Sequence, residues 1–185
     1  MLSRRDVFIF LANGFEETEA IATIDVLRRG DVAVKIVSIT GEATVTGSHG
    51  IQIVADALFE RLSFNDSKLL ILPGGMPGTQ NLQNHEELGE LLKKQFSSNQ
   101  YLAAICAASK IFGHLNLLHG KEVICYPGYE DELTGATLSK LNVVCDGNII
   151  TAKGAAFAID FGLKLLELLK GKAVADKVAQ GMLVK

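Results

Sequence analysis

An α/β fold, with a mostly parallel sheet covered by helices on both faces, is predicted by three features of this 185-residue sequence. Short apolar runs at 6–11, 68–72 and 101–105 read as strands buried on both faces. Helical segments with proper end signals alternate with them. Gly, Pro and reactive side chains gather just after the strands, where sites of such folds lie. No internal repeat or linker divides the chain, so residues 1–185 are expected to form one domain.

The elements follow in order. The run 6–11 is the first strand, and 12–15 turns the chain. Residues 16–29 read as a helix, because Glu16, Glu17 and Glu19 fill its first turn, Arg28 and Arg29 its last, and Gly30 follows. Its apolar residues form two stripes (Ala20, Ile24, Leu27 and Ala22, Val26), so it should be buried twice, with a subunit partner one candidate cover. Residues 32–39 are the second strand. Residues 43–46 and 51–55 form a hairpin around Gly47-Ser48-His49-Gly50. A short helix is expected at 58–62, then strand 68–72, ended by Pro73-Gly74-Gly75. Residues 76–82 are loop or one helical turn. Helix 86–96 turns Leu88, Leu91, Leu92 and Phe96 inward. Strand 101–105 runs into Cys106 and a helix reaching about residue 117. A short strand at 122–125 ends at Tyr126-Pro127-Gly128. Strands 141–145 and 149–152 flank the hairpin turn Asp146-Gly147-Asn148. Helices at 155–169 and 172–180 close the chain.

Composition narrows the function. The net charge is -3 with both signs interspersed, and no basic stripe suits nucleic acid. Cys106, Cys125 and Cys145 lack paired spacing, which fits a reducing compartment, and they form no metal-ligand pattern with the histidines. The first apolar run is too short for a signal-peptide core. No stretch approaches the ~20 apolar residues of a membrane helix. A cytoplasmic protein without nucleic-acid or membrane partners is expected.

Cys106 is the candidate nucleophile. It stands where a strand hands over to a helix, between small residues (Ala104, Ala107, Ala108), in the manner of a nucleophile elbow. Helix amides beginning with Ala107 face such a sulfur and favour thiolate over thiol. Cys106 as a small buried hydrophobe is the other reading. Glu19 is the leading partner, with Glu16 and Glu17 as alternatives that suit helix capping; that all three acids simply complement the helix dipole is the other reading. A buried carboxyl beside a thiolate should stay protonated and donate to sulfur. Gly74 and Gly75 could offer backbone amides to an oxyanion, or simply turn the chain. The glycines 74, 75 and 78 lack dinucleotide-binding spacing, and Glu16 and Glu17 would repel a pyrophosphate.

In order, the strand, the GFEETEA helix, the LPGG loop, the AAICAA elbow and YPG after a short strand resemble the ThiJ/PfpI superfamily. The branch is that of the parkinsonism-associated protein deglycase (DJ-one) and its bacterial relatives, over about residues 6–183. The resemblance implies a flavodoxin-like doubly wound fold, usually homodimeric, with Cys106 as the reactive cysteine and Glu19 as a protonated glutamate hydrogen-bonded to it. It places Gly75 in the oxyanion loop. Ala107 stands where protease and amidotransferase branches carry histidine, which argues against those activities. Tyr126 stands where the human-type deglycase has a histidine, and it could orient a ligand. His49 takes the place of an arginine near the partner subunit's site. The implied activity is that of a glyoxalase III or deglycase, acting on methylglyoxal, glyoxal or glycated protein, without metal or organic cofactor. The alternative is a redox-responsive stress protein or chaperone whose cysteine oxidises to sulfinate.

Overall fold

The first apolar run forms strand β1 (Val7–Leu11), buried throughout, in a computed structural model that describes residues 7–184. Asp6, the expected first strand residue, lies outside the described residues. After β1 come α1 (Glu17–Arg29), β2 (Val34–Ser38), the hairpin β3 (Thr44–Thr46) and β4 (Gln52–Val54), and β5 (Ala57–Leu58). Then follow β6 (Leu69–Leu72), α2 (Gly78–Gln83), α3 (Glu86–Ser97), β7 (Tyr101–Ile105) and α4 (Ser109–His114). The chain continues through β8 (Glu122–Val123), β9 (Thr137–Leu138), β10 (Val143–Asp146), β11 (Ile149–Ala152), α5 (Ala158–Lys170) and α6 (Lys172–Gly181).

The central sheet has the order β10-β11-β7-β6-β1-β2-β5. Every pair in it is parallel except β10 with β11. Side-chain alternation sorts the strands into two cores. Val7, Ile9, Leu69, Ile71, Ala103 and Ile105 meet α1, α5 and α6 on one face. Phe8, Phe10, Leu70, Leu72, Leu102 and Ala104 meet α2, α3 and α4 on the other. This is the flavodoxin-like, doubly wound single domain that the resemblance implied.

Three details differ from the expectations. The segment 58–62 is not simply helical: it opens with edge strand β5 before one 3-10 turn over Phe59–Arg61. The strand near 122 stays out of the main sheet and pairs with β9, which has no alternating pattern to announce it. The helix after Cys106 stops at His114, because Asn116 adopts φ +58° and Leu117 N–H bonds back to the Phe112 carbonyl at 2.9 Å. That left-handed termination is one that asparagine tolerates. The second apolar stripe of α1 finds its cover inside the chain: Val26 packs on Gly162 of α5, and Gly30 lies under Leu166.

The polarity of the parallel strands carries residues 12–16, 73–75 and 106 to one edge of the sheet. The order reverses between β1 and β6, which is where sites of such folds lie.

Candidate functional site

Cys106 follows β7 directly and adopts φ +64°. Such left-handed geometry is uncommon for a residue with a side chain and stores about 1–3 kcal/mol. The neighbours enforce it. Ala107 and Ala108 are buried and complete a 3-10 turn that starts at Cys106, and Tyr126 N–H donates to the Cys106 carbonyl at 3.2 Å. The thiol stays half-buried, and the Ala107 amide donates to its sulfur.

Helix α1 brings Glu19 to that sulfur. The Glu16 side chain caps the helix, accepting the Glu19 N–H at 2.6 Å, and so sets the first turn. Glu19 itself is only 1% exposed. Its Oε2 accepts the Gly74 N–H at 2.8 Å, and the carboxyl contacts the Cys106 thiol. Oε1 is buried without a hydrogen-bond partner among the described residues. Only glycine fits at 74, since a Cβ there would stand 2.7 Å from both Cys106 Cβ and Glu19 Oε2.

Burial pushes Glu19 up to about 7, against the lowering effect of the thiol and the Gly74 amide. Cys106 is pushed up to about 12, by burial first and then by the negative charge of Glu19. This departs from the expected low thiol pKa. The helix amides do favour the anion, but burial and an ionised carboxylate outweigh them. The carboxylate effect changes sign once Glu19 holds the proton, because a neutral acid no longer repels the sulfur and can donate to it. Oxygen and sulfur therefore titrate as one pair, whose first proton leaves near neutral pH.

The structure brings Cys106, Glu19, Gly74, Gly75 and Ala107 together, with Glu16 beside them. The Gly74 amide is spent on Glu19, so it does not serve an oxyanion. The Gly75 amide, at φ +92°, makes no hydrogen bond among the described residues and remains available. Tyr126 is half-exposed, its ring 3.4 Å from where a Cβ on Gly154 would stand. The segment carrying Tyr126 is tied to α4 by Lys110, whose Nζ lies 3.4 Å from Glu132 and over the Tyr129 ring.

His49 sits on the β3–β4 turn and is committed to Glu17. The buried Glu17 carboxylate accepts from the His49 backbone at 2.7 Å, meets its Nδ1 at 2.8 Å, and accepts the Ser48 hydroxyl at 3.2 Å. Burial alone would raise Glu17, but these partners hold it at about 2. The bond to Glu17 in turn raises His49. Ligand atoms of Glu16, Glu17 and His49 lie within 4.8 Å of one another, with the Glu17 oxygens already engaged by these donors. Gly154 was missed by sequence reasoning, although a glycine two positions past the end of a buried strand is the signal that marked Gly74 after β6.

Residues 5–168 match the DJ-1/PfpI family. The chain belongs to the DJ-1/PfpI family. Among its members, DJ-1 homolog B of Arabidopsis thaliana is 37% identical over 99% of the chain, which spans only 42% of that plant protein's length. The glutathione-independent glyoxalase DJR-1.2 of Caenorhabditis elegans is 35% identical, over 84% of this chain and 83% of that protein. The crystal structure of Drosophila melanogaster DJ-1beta superposes with a TM-score of 0.92 at 34% identity, covering 98% of each chain. In this DJ-1/PfpI chain the site gathers a half-buried thiol, a buried carboxyl and a backbone amide without a partner among the described residues, groups of the kind that carbonyl addition uses.

Proposed function

We propose that this DJ-1/PfpI protein is a cysteine-dependent enzyme of the glyoxalase III or protein deglycase type, acting on methylglyoxal and glyoxal or their early adducts. The observation that carries the reading is the contact between the Cys106 thiol and the buried Glu19 carboxyl, raised to about 7. The name of the worm relative supports it.

With the shared proton on Glu19, the Cys106 thiolate adds to the aldehyde carbon of methylglyoxal. A C–S bond forms, the π electrons move to oxygen, and the Gly75 amide meets the developing oxyanion. Glu19 delivers its proton there, giving a hemithioacetal. The Glu19 carboxylate then removes the proton from the sulfur-bearing carbon, giving an enediolate as the hydroxyl proton passes from the first oxygen to the second, and returns its proton to the neighbouring carbon, so that the first oxygen becomes the thioester carbonyl. The product is a lactate thioester. Water hydrolyses it to lactate and restores the pair, so one methylglyoxal and one water become lactate and a proton. An early amine adduct enters the same route. Its C–N bond breaks as the C–S bond forms, and the amine leaves with the Glu19 proton. Neither route needs a metal or an organic cofactor.

The test is lactate formation from methylglyoxal by the purified protein. Cys106→Ser is expected to abolish it, and unchanged turnover in that variant would overturn the reading.

A second reading uses the same carboxyl. A protonated Glu19 and the Gly75 amide are donors suited to the oxygens of a Cys106 sulfinate, formed as two peroxide molecules are reduced to water. A gain of two oxygens on Cys106 in intact mass after mild peroxide, without lactate formation, would favour a redox-responsive protein.

A further inference from the structure

The glycines around the sulfur are not alike. Gly74 is forced by crowding, since its Cβ would collide with Cys106 and Glu19, and Gly75 by its left-handed φ of +92°. Gly154, two positions past the end of β11 at Ala152, is forced by neither. Its backbone is extended, at φ 163° and ψ −173°, which any residue adopts. A Cβ built on it would stand 3.4 Å and 3.9 Å from Cδ2 and Cε2 of Tyr126, and 4.0 Å from Cys106 Sγ. All three are ordinary contact distances. A methyl group would thus fit between the tyrosine ring and the sulfur without moving either. The missing side chain leaves a methyl-sized slot beside the reacting atom, in a fold that does not require glycine there.

We propose that Gly154 is a specificity-determining residue: with the Tyr126 ring it forms one wall beside Cys106 Sγ, and the room it leaves sets how bulky an electrophile can reach the sulfur. The inference rests on Cys106 being the reacting nucleophile and deepens that reading by assigning the substrate-size limit. An approaching carbonyl carbon must close to bonding distance from Sγ, with its substituent alongside. A planar dicarbonyl of two or three carbons needs little space on the Gly154 side. An adduct still attached to a protein side chain needs the whole slot. Filling the slot should spare small aldehydes and exclude large ones, while Tyr126→Ala should open the wall from the other side.

Covalent labelling tests this without turnover. In a Cys145→Ser background, which removes the exposed thiol, labelling of Cys106 is followed by mass spectrometry with iodoacetamide and with the bulkier N-phenylmaleimide. Gly154→Ala is expected to slow the maleimide about tenfold more than iodoacetamide, the discrimination that one methyl group provides in a tight pocket. Adding Tyr126→Ala should restore the ratio. Equal slowing of both reagents, or an unchanged ratio in a variant with native circular dichroism, would overturn the proposal. Should Gly154→Ala fail to fold, Tyr126→Ala alone must raise the maleimide-to-iodoacetamide ratio, and no rise would also overturn it. Size discrimination without lactate formation would sink the enzymatic reading and leave the slot standing.

Discussion

At the level of single residues, the burial of Glu19 beside Cys106 couples the titration of the two groups. Labelling of Cys106 should rise with pH in two steps, the first near 7 as the pair loses one proton and the second towards 12. Glu19→Gln leaves only the thiol to titrate, so a single step with its midpoint below 12 is expected. Identical profiles for the two proteins would refute the shared proton. Stability should carry the same signature. The folded pKa of Glu19 is raised from 4.5 to about 7, so its contribution is complete below pH 4.5 and is lost as pH rises through 7. The loss amounts to about 3 kcal/mol at most. Melting temperature should therefore fall across that window in the parent and less steeply in Glu19→Gln, and parallel curves would contradict the assignment. Cys106 was legible as a candidate nucleophile from its place at a strand end, whereas position alone left Glu19 equally suited to complementing the helix dipole, and only the family resemblance paired the two. The sign of the thiol shift was not legible. It depends on burial and on which partner holds the proton, and neither follows from spacing.

Turns and helix ends decide what surrounds that pair. The ends of α1 were legible because Glu16, Glu17, Arg28, Arg29 and Gly30 state them locally. The pairing of β8 with β9 was not, since two-residue strands carry no alternation to read. The loop after β6 was legible as a Gly-Gly turn. That its first amide would be taken by a glutamate 55 positions away was not. Gly74→Ala is expected to cost about 1–3 kcal/mol through overpacking and to abolish the turnover proposed for Cys106, because the added methyl displaces both Cys106 and Glu19. Wild-type turnover in that variant would refute the packing argument. The bond from Glu17 to the β3–β4 turn gives a separate acid signature. Its pKa is lowered from 4.5 to about 2, so the contribution is present above 4.5 and fades as pH falls towards 2. Glu17→Gln should flatten acid unfolding in that interval, as read by circular dichroism against pH. A curve that keeps the parent's slope would show that the carboxylate does not hold the hairpin.

Across the whole molecule, the sheet separates two apolar cores that share no helix. Glycines let α1 and α5 meet closely on one face: Val26 lies on Gly162, where a Cβ would be 2.9 Å from the valine Cβ. Gly162→Ala should lower stability by about 1–3 kcal/mol while leaving the pH steps of Cys106 labelling in place at 25 °C. A displaced first step would show that the packing of these helices reaches the pair. The site draws on both layers. Glu19 descends from α1 on one side, whereas the Cys106 turn continues into α4, whose Ile111 and Phe112 belong to the other. The Glu19 carboxyl and the Cys106 thiol are thus riveted to opposite shells of a sandwich, and prising off either shell parts them by the first slippage. The activity proposed for the pair becomes a gauge of whether the two halves still clasp the sheet: it should disappear in step with the earliest loosening of either one, ahead of the strands themselves.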